Sequence, residues 1–395
     1  MKQKTVLTFG WEFPPHNLGG LGIACQGIVH GLLQHDYKVL MVLPTKVESL
    51  KKNLEIMSLH PELMIVKRIH SYLQPYQTET SYLKEKGQLY GATLFDEVQR
   101  YALSSKKLLK NKSFDVIHAH DWMTFKAAVE VKKVSKKPLV VHVHSTELDR
   151  ASEKHIDRKI FELEKFGMKA ADKVIAVSQY TKNKIIDFYD IPAKKIEVVH
   201  NAAPEWTAAQ TENKNLLDKD KLVLFVGRLT FQKGPEYFLE AAKNILEFRK
   251  DVTFVVVGNG DLQGKLIDIV AKNGLVDKVL FAGVQRGEKL RQLYDRADLF
   301  IMPSVSEPFG LTALEAIQHN TPVIISKQSG ASEVLKQAFK VDYWDVKNMV
   351  AHINAILDSP ETSLEQVKKM AEELNSLSWQ ESGKACIKLY EALFV

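Results

Sequence analysis

The sequence predicts an α/β protein of two doubly wound domains, and three observations predict it. Short apolar stretches alternate with amphipathic helical patterns through both halves, as in parallel sheets covered by helices. The 395 residues exceed what one hydrophobic core usually supports. A polar run broken by Pro204, NAAPEWTAAQTENKNLLDKDK, lies midway and is the best boundary. Residues 1–200 then form an amino-terminal domain and residues 201–378 a second one. The closing run 379–395 reads as a helix whose apolar face could pack on either domain, and we assign it to the first.

Composition narrows the classes. Apolar residues make up 45% and charged residues 26%, as in soluble globular proteins. No apolar run approaches the roughly 18 residues of a membrane span, and the opening MKQKTVLTFGWEF runs straight into a strand and turn, so we expect a cytoplasmic protein. Cys25 and Cys386 are the two cysteines, which excludes a disulfide framework and a Cys-rich zinc module. Both lie in amphipathic helical patterns and read as buried structural thiols. Net charge is +6, yet residues 101–140 hold nine lysines against three acidic residues. That excess could meet a membrane surface, although solvated helix faces are the commoner cause. No aromatic-and-basic element accompanies it, so nucleic acid is not an expected partner.

The elements follow in order. Thr5–Phe9 is a strand, followed by the glycine-rich GWEFPPHNLGGLG (Gly10–Gly22) and a helix over Ile23–Leu33. Such a loop is a phosphate or sugar cradle, or else a flexible turn; it is not G-x-G-x-x-G, so a dinucleotide fingerprint is weak. Lys38–Leu43 is a strand. Residues from about Glu48 to Tyr101 carry little pattern, with a helix from Leu94 onward. Asp115–Ala119 is a strand ending in HAHDW (His118–Trp122), and Leu139–Val143 repeats the arrangement with HVHST (His142–Thr146). We expect one histidine of each pair on each side of its strand, with His118 and His142 packed and satisfied inside the sheet. His120, Asp121 and His144, nearest the strand ends, are the stronger site candidates. A metal would need both members of a pair to converge, which calls for a bent strand, and we expect none. The Asp218–Asp220 triplet sits in a charged stretch and reads as surface.

Lys173–Ser178 and Ile196–His200 are further strands. The second half restarts with Leu222–Val226 and the turn GRLTFQKG (Gly227–Gly234), then a helix over Pro235–Phe248, Val252–Val257 with GNGD, and Val279–Phe281. Arg228 and Lys233 share that strand-to-helix turn; two cations there suit a diphosphate, although either could be a surface residue. Asp298–Ser304 is a buried strand, Ser306–Phe309 a turn, Leu311–Gln318 a helix and Pro322–Ile325 the next strand. Glu307 therefore follows a strand's carboxyl end, where open parallel sheets bind ligands, and Glu315 lies within the helix. Either could be an ordinary acidic residue. Gly310 tilts the reading, because glycine in a first helical turn is costly unless the backbone needs room or unusual angles.

VGRLTFQKG, VVGNGDL and above all SEPFGLTALEA, with its E-x7-E spacing, resemble the retaining GT-B glycosyltransferases, the group that contains glycogen and starch synthases. PPHNLGGLG, HAHDW and the histidine after the HVH strand fit the amino-terminal domain of that family, so the resemblance covers nearly the whole chain. It implies the GT-B architecture, two Rossmann-like domains facing across a cleft, with the second binding a nucleotide sugar. Arg228 and Lys233 would hold the diphosphate, and Gly310, Leu311 and Thr312 would add donor contacts. Glu307 would bind the transferred sugar, and Glu315 the ribose. His144 would contact the donor sugar through its carbonyl or imidazole, Gly20 would approach the donor from the amino-terminal loop, and Asp121 with Trp122 would border the acceptor.

The implied reaction transfers glucose from ADP-glucose or UDP-glucose to an α-glucan with retention and no further cofactor; a lipid or cell-surface polysaccharide acceptor is the alternative. A metal-dependent hydrolase and a silent glucan- or nucleotide-binding protein are the rivals from other classes. Two departures weaken ADP-glucose in particular. Bacterial starch and glycogen synthases carry K-x-G-G-L where this chain has Asn17-Leu18-Gly19-Gly20-Leu21, and Asn320 replaces the usual glycine after the E-x7-E helix.

Overall fold

The computed structural model describes residues 3–14, 19–45, 64–71, 82–83, 92–151, 155–203 and 220–394. It divides into two compact units: Met1–Glu147 with Ile156–Ala202 and Ser378–Val395, and Leu148–His155 with Ala203–Leu377. The expected boundary at residue 201 shifts to 203, and the short segment Leu148–His155 groups with the second unit. The linker from Pro204 to Lys219, with Asp218, lies outside the described residues, as do Asn17 and Leu18 of the first loop and most of the stretch from Glu48 to Tyr90.

Unit 1 is a seven-stranded sheet of order β3-β2-β1-β4-β5-β6-β7, all parallel. Its strands are β1 Thr5–Phe9, β2 Lys38–Thr45, β3 Met64–His70, β4 Val116–His120, β5 Leu139–Val143, β6 Lys173–Ala176 and β7 Ile196–Val198. Every residue of β4 and β5 is buried, which is why these strands read as apolar runs rather than alternating ones. Helices cover the sheet and start on local signals. Thr93 and Asp96 form a capping box for Leu94–Leu109, while Ser178 and Ser378 cap Gln179–Tyr189 and Trp379–Glu391.

The closing helix Trp379–Glu391 belongs to unit 1 and packs on Gly20–Gln34. Gly27 and Gly31, one turn apart, make that crossing close: a Cβ at either would stand 2.0 Å from Trp379. This is the partner that the helix's apolar face required.

Unit 2 is a six-stranded parallel sheet of order β10-β9-β8-β11-β12-β13. Its strands are β8 Lys221–Val226, β9 Val252–Val257, β10 Val279–Gly283, β11 Leu299–Met302, β12 Val323–Ser326 and β13 Phe339–Val341. Its core joins Val223, Phe225, Phe254, Val256, Leu299 and Ile301 of the sheet to Phe238, Ala242 and Ile245 of the helix Pro235–Leu246. Asp220, expected at the surface, accepts hydrogen bonds from Thr253 and Lys278 and fastens the start of β8.

In both sheets the chain builds outward through three strands, then returns to the other side of the first. The order reverses between β1 and β4 and again between β8 and β11. A crevice opens beyond the strand ends at each such reversal, where backbone ends diverge and ligands bind.

Candidate functional site

At the reversal in unit 2, β8 runs into Gly227 and Arg228 while β11 runs into Pro303 and Ser304. Arg228 Nη2 donates to Gln232 Oε1 at 3.1 Å, and the Gln232 carbonyl accepts from Val305 N at 2.9 Å, so buried Gln232 ties the two turns together. Lys233 Nζ reaches Glu307 Oε2 at 2.6 Å, and Ser304 Oγ donates to the same oxygen at 3.2 Å. The carboxylate is almost wholly buried, with its side chain 8% exposed, against 22% for Lys233. A buried carboxylate needs such a partner, since removing either member strands the other charge. Glu307 is also held by its backbone, with its N–H donating to Gln328 O and its carbonyl accepting from Gly330 N, both at 2.9 Å. Within the same unit Ser306 donates to Asp149 at 2.6 Å.

Gly310 adopts φ 113°, ψ 52° and precedes the helix Leu311–Gln318, whose bounds are those expected. A Cβ at that position would stand 2.8 Å from Met302 Cε, so both reasons for glycine apply, the angle and the space. Its N-cap residue, Gly310, has no side chain to cap the helix, leaving the amides of Leu311 and Thr312 at its positive end. Glu315 lies deeper, 4% exposed, accepting from Tyr294 Oη at 2.9 Å. Burial pushes its carboxyl from the ordinary 4.5 up to about 7, only partly opposed by the tyrosine. After the helix, Asn320 takes φ 57°, the left-handed conformation its place in the motif requires.

At the reversal in unit 1 the histidines correct the sequence expectation. Residues two apart on a strand point to the same face, so the pairs do not split between faces. His118, His120, His142 and His144 form one stack with ring centroids 4.2 to 5.4 Å apart. His120 Nδ1 and His144 Nε2 share a hydrogen bond at 2.8 Å, and Tyr390 Oη meets His118 Nδ1 at 2.7 Å. His118 and His142 are not fully satisfied: His118 Nε2 and both nitrogens of His142 are buried with no hydrogen-bond partner among the described residues. Burial holds all four imidazoles neutral, lowering His120 to about 3 and the others well below 6.5.

Asp121 follows with φ 57°, ψ 169°, a conformation sparsely populated by any residue but glycine. Its Oδ1 accepts from His144 N at 2.7 Å and from Ser145 N at 3.4 Å. Trp122 is 4% exposed, in ring contact with Trp11 and Phe95, so its indole belongs to the core. Gly20 begins the helix Gly20–Gln34, and buried Glu12 accepts from Gly22 N at 2.7 Å near that helix's start.

Sequence reasoning passed over Glu12, Gln232, Ser304, Tyr294 and Tyr390. Only Glu12 carried a local signal, as a charge inside an otherwise apolar GWEF run; the rest are brought in by tertiary contacts.

Comparison with known proteins agrees with this arrangement. Residues 18–204 match the family described as Glycosyltransferase Family 4, and residues 208–374 that described as Glycosyl transferases group 1. An uncharacterized glycosyltransferase of Methanocaldococcus jannaschii is 33% identical over 341 residues, 82% of this chain and 81% of the relative. The chain belongs to the glycosyltransferases.

Other relatives of this glycosyltransferase differ in substrate. The glycogen synthase of Mycobacterium tuberculosis is 26% identical over 98% of this chain and 94% of its own. The UDP-Gal:alpha-D-GlcNAc-diphosphoundecaprenol alpha-1,3-galactosyltransferase of Escherichia coli is 29% identical over 65% of this chain and 68% of its own. Among solved structures, sucrose-phosphate synthase from Thermosynechococcus elongatus superposes with a TM-score of 0.80 at 20% identity, covering 99% of both chains. HepE of Anabaena, in complex with UDP and glucose, gives 0.72 at 17%, covering 99% of this chain and 100% of HepE. These likenesses show the fold: the glycosyltransferase has the GT-B architecture. Among the described residues, no helix is long and apolar enough to cross a membrane.

Proposed function

We propose that this glycosyltransferase moves glucose, with retention, from a nucleoside-diphosphate sugar to an α-glucan. The observation that carries the reading is the Lys233–Glu307 pair at the β8/β11 reversal, set before a helix whose N-cap residue is Gly310. Lys233 and Arg228 supply cations for a diphosphate. Gly310, Leu311 and Thr312 present backbone donors at the positive end of the helix. Glu307 faces the sugar hydroxyls and Glu315 the ribose. In unit 1, the substrate contacts that the family resemblance implies for His144, Gly20 and Asp121 belong to the same proposal, while the indole of Trp122 is packed in the core.

In the reaction, an acceptor hydroxyl oxygen forms a bond to the anomeric carbon while the bond from that carbon to the β-phosphate oxygen breaks. The electron pair leaves with the nucleoside diphosphate, and the acceptor proton passes to the departing phosphate. Lys233, Arg228 and the helix dipole stabilise the charge that develops on it, so this step needs no further cofactor. Glu307, already committed to Lys233, acts on hydroxyls and is not assigned the covalent role of a glycosidase nucleophile.

The full-length similarity to a glycogen synthase supports the glucan acceptor, and the UDP-bound state of HepE supports a uridine donor beside ADP-glucose. A screen of nucleoside diphosphate release with ADP-glucose, UDP-glucose and other donors, each with and without glucan, tests the reading. Glucan-dependent release from a glucose donor is expected, and silence with every donor would overturn it.

A second reading, transfer to a lipid-borne acceptor, is favoured by a groove of about 1020 Å³ in unit 1 lined by Lys106, Lys107, Lys110, Lys137, Leu103 and Val134. Leu103 and Val134 are half exposed among these lysines, a pattern suited to anionic interfaces. Radiolabel recovered in an organic extract rather than in ethanol-precipitable glucan would select it.

A further inference from the structure

The imidazole stack of unit 1 is larger than the transfer reading requires. Five of its eight ring nitrogens, His118 Nε2, His120 Nε2, His142 Nδ1 and Nε2, and His144 Nδ1, are buried with no hydrogen-bond partner among the described residues. An unsatisfied buried polar atom is destabilising. A fold that gathers five in one place must offset that cost, and a ligand common to several of them does so most economically.

The donor chemistry names the ligand. Cys25, on the helix Gly20–Gln34, is fully buried beside His120 and His144, and these three residues offer ligand atoms within 4.8 Å of one another. Imidazole nitrogen and thiolate sulfur are the donors zinc prefers. His120 Nε2 and His144 Nδ1, the nitrogens of these two rings without a hydrogen-bond partner among the described residues, keep their capacity to bind an ion.

The surroundings supply the counter-charge. Four neutral imidazoles cannot balance a dication, but Glu12 and Asp121 lie buried close by, at 2% and 5% exposure. Glu12 accepts from Gly22 N on the helix that carries Cys25, and Asp121 follows His120 and accepts from His144 N, so both carboxylates flank the three donors.

We infer that unit 1 binds one divalent ion of the zinc class through Cys25, His120 and His144. A second set, His118, His120 and His142, also brings ligand atoms within 4.8 Å, but it has no sulfur donor and Tyr390 holds His118. The ion has a structural role: it pins the first helix to the ends of β4 and β5. It occupies the imidazole of His144 and leaves that residue's carbonyl as its route to a sugar. No residue of unit 2 takes part, so the inference stands or falls separately from the proposed transfer reaction.

The test uses the full chain, stripped with a chelator and titrated with zinc or cobalt(II). One equivalent should bind, with a sulfur-to-cobalt charge-transfer band in the near ultraviolet and a rise in Tm on zinc addition. Cys25→Ser should abolish the band, and His120→Asn should weaken binding at least about tenfold. Where a variant fails to fold, the band and the Tm rise of the wild-type protein decide. A wild-type chain that shows no band and no zinc-dependent rise, or that binds equally well with Ser at position 25, overturns the inference.

Discussion

The two sheets reverse their strand order in the same way, yet furnish the crevice beyond the reversal oppositely. In unit 2 opposite charges meet directly at 2.6 Å, and a helix start with glycine at its N-cap stands beside them. In unit 1 four imidazoles are packed so deeply that their protonated forms are suppressed. Topology makes the crevice, and side chains decide what it accepts. One reversal is prepared for an anion; the other excludes positive charge on its own groups and leaves nitrogen lone pairs for something else.

The strongest way to break this contrast is to remove charge from unit 2. Lys233→Ala should lower turnover by about 10²–10³, the effect of losing one group that stabilises transition-state charge. Glu307→Gln should also act chiefly on kcat, whereas Glu315→Gln should chiefly raise the donor KM. Steady-state nucleoside diphosphate release with each variant separates these outcomes; the reverse split between the two glutamates would mean that the donor lies the other way round.

Acid and base should act on the units with opposite sign. His120 has its folded pKa lowered from 6.5 to about 3, so the unfolded chain binds the extra proton and stability is lost as pH falls through that window. By linkage this one residue is worth about 5 kcal/mol, and its three neighbours push the same way. Glu315 has its folded pKa raised from 4.5 to about 7, so the folded chain holds the extra proton and stability falls as pH rises through that interval. The size is about 3 kcal/mol. Urea midpoints measured from pH 4 to pH 8 should show the second slope disappear in Glu315→Gln while the acid-side loss remains. A single monotonic slope unaffected by that change would contradict the assignment.

Legibility in the sequence followed the range of the interactions. The helix Leu311–Gln318 was found to the residue because proline, glycine and an apolar run mark it locally. The alternation of strands and helices is equally local. The histidine stack runs against the sequence expectation, because the two-residue period puts His118 and His120 on one face and not on opposite ones. Even read correctly, that period could not have revealed that His142 sits beside His120 in register, which only the pairing of β4 with β5 decides. The bonds of Glu315 to Tyr294 and of His118 to Tyr390 join residues 21 and 272 positions apart, and no window of sequence holds the second.

The smallest expected effects concern the backbone, and they sharpen the same contrast. Unit 2 meets its demand for a positive φ with Gly310, whereas unit 1 places Asp121 at φ 57°, ψ 169°. The carboxylate explains the second choice, because it accepts from the amides of His144 and Ser145 and a glycine would leave both unanswered. Gly310→Ala should therefore cost about 1–3 kcal/mol, from a strained φ with nothing gained. Asp121→Gly should come out within about 1 kcal/mol of neutral, relief of strain offsetting the lost hydrogen bonds. Thermal melts of the two variants compare them directly. Equal large losses would mean that Asp121 sits in its conformation without strain, held by its bonds alone.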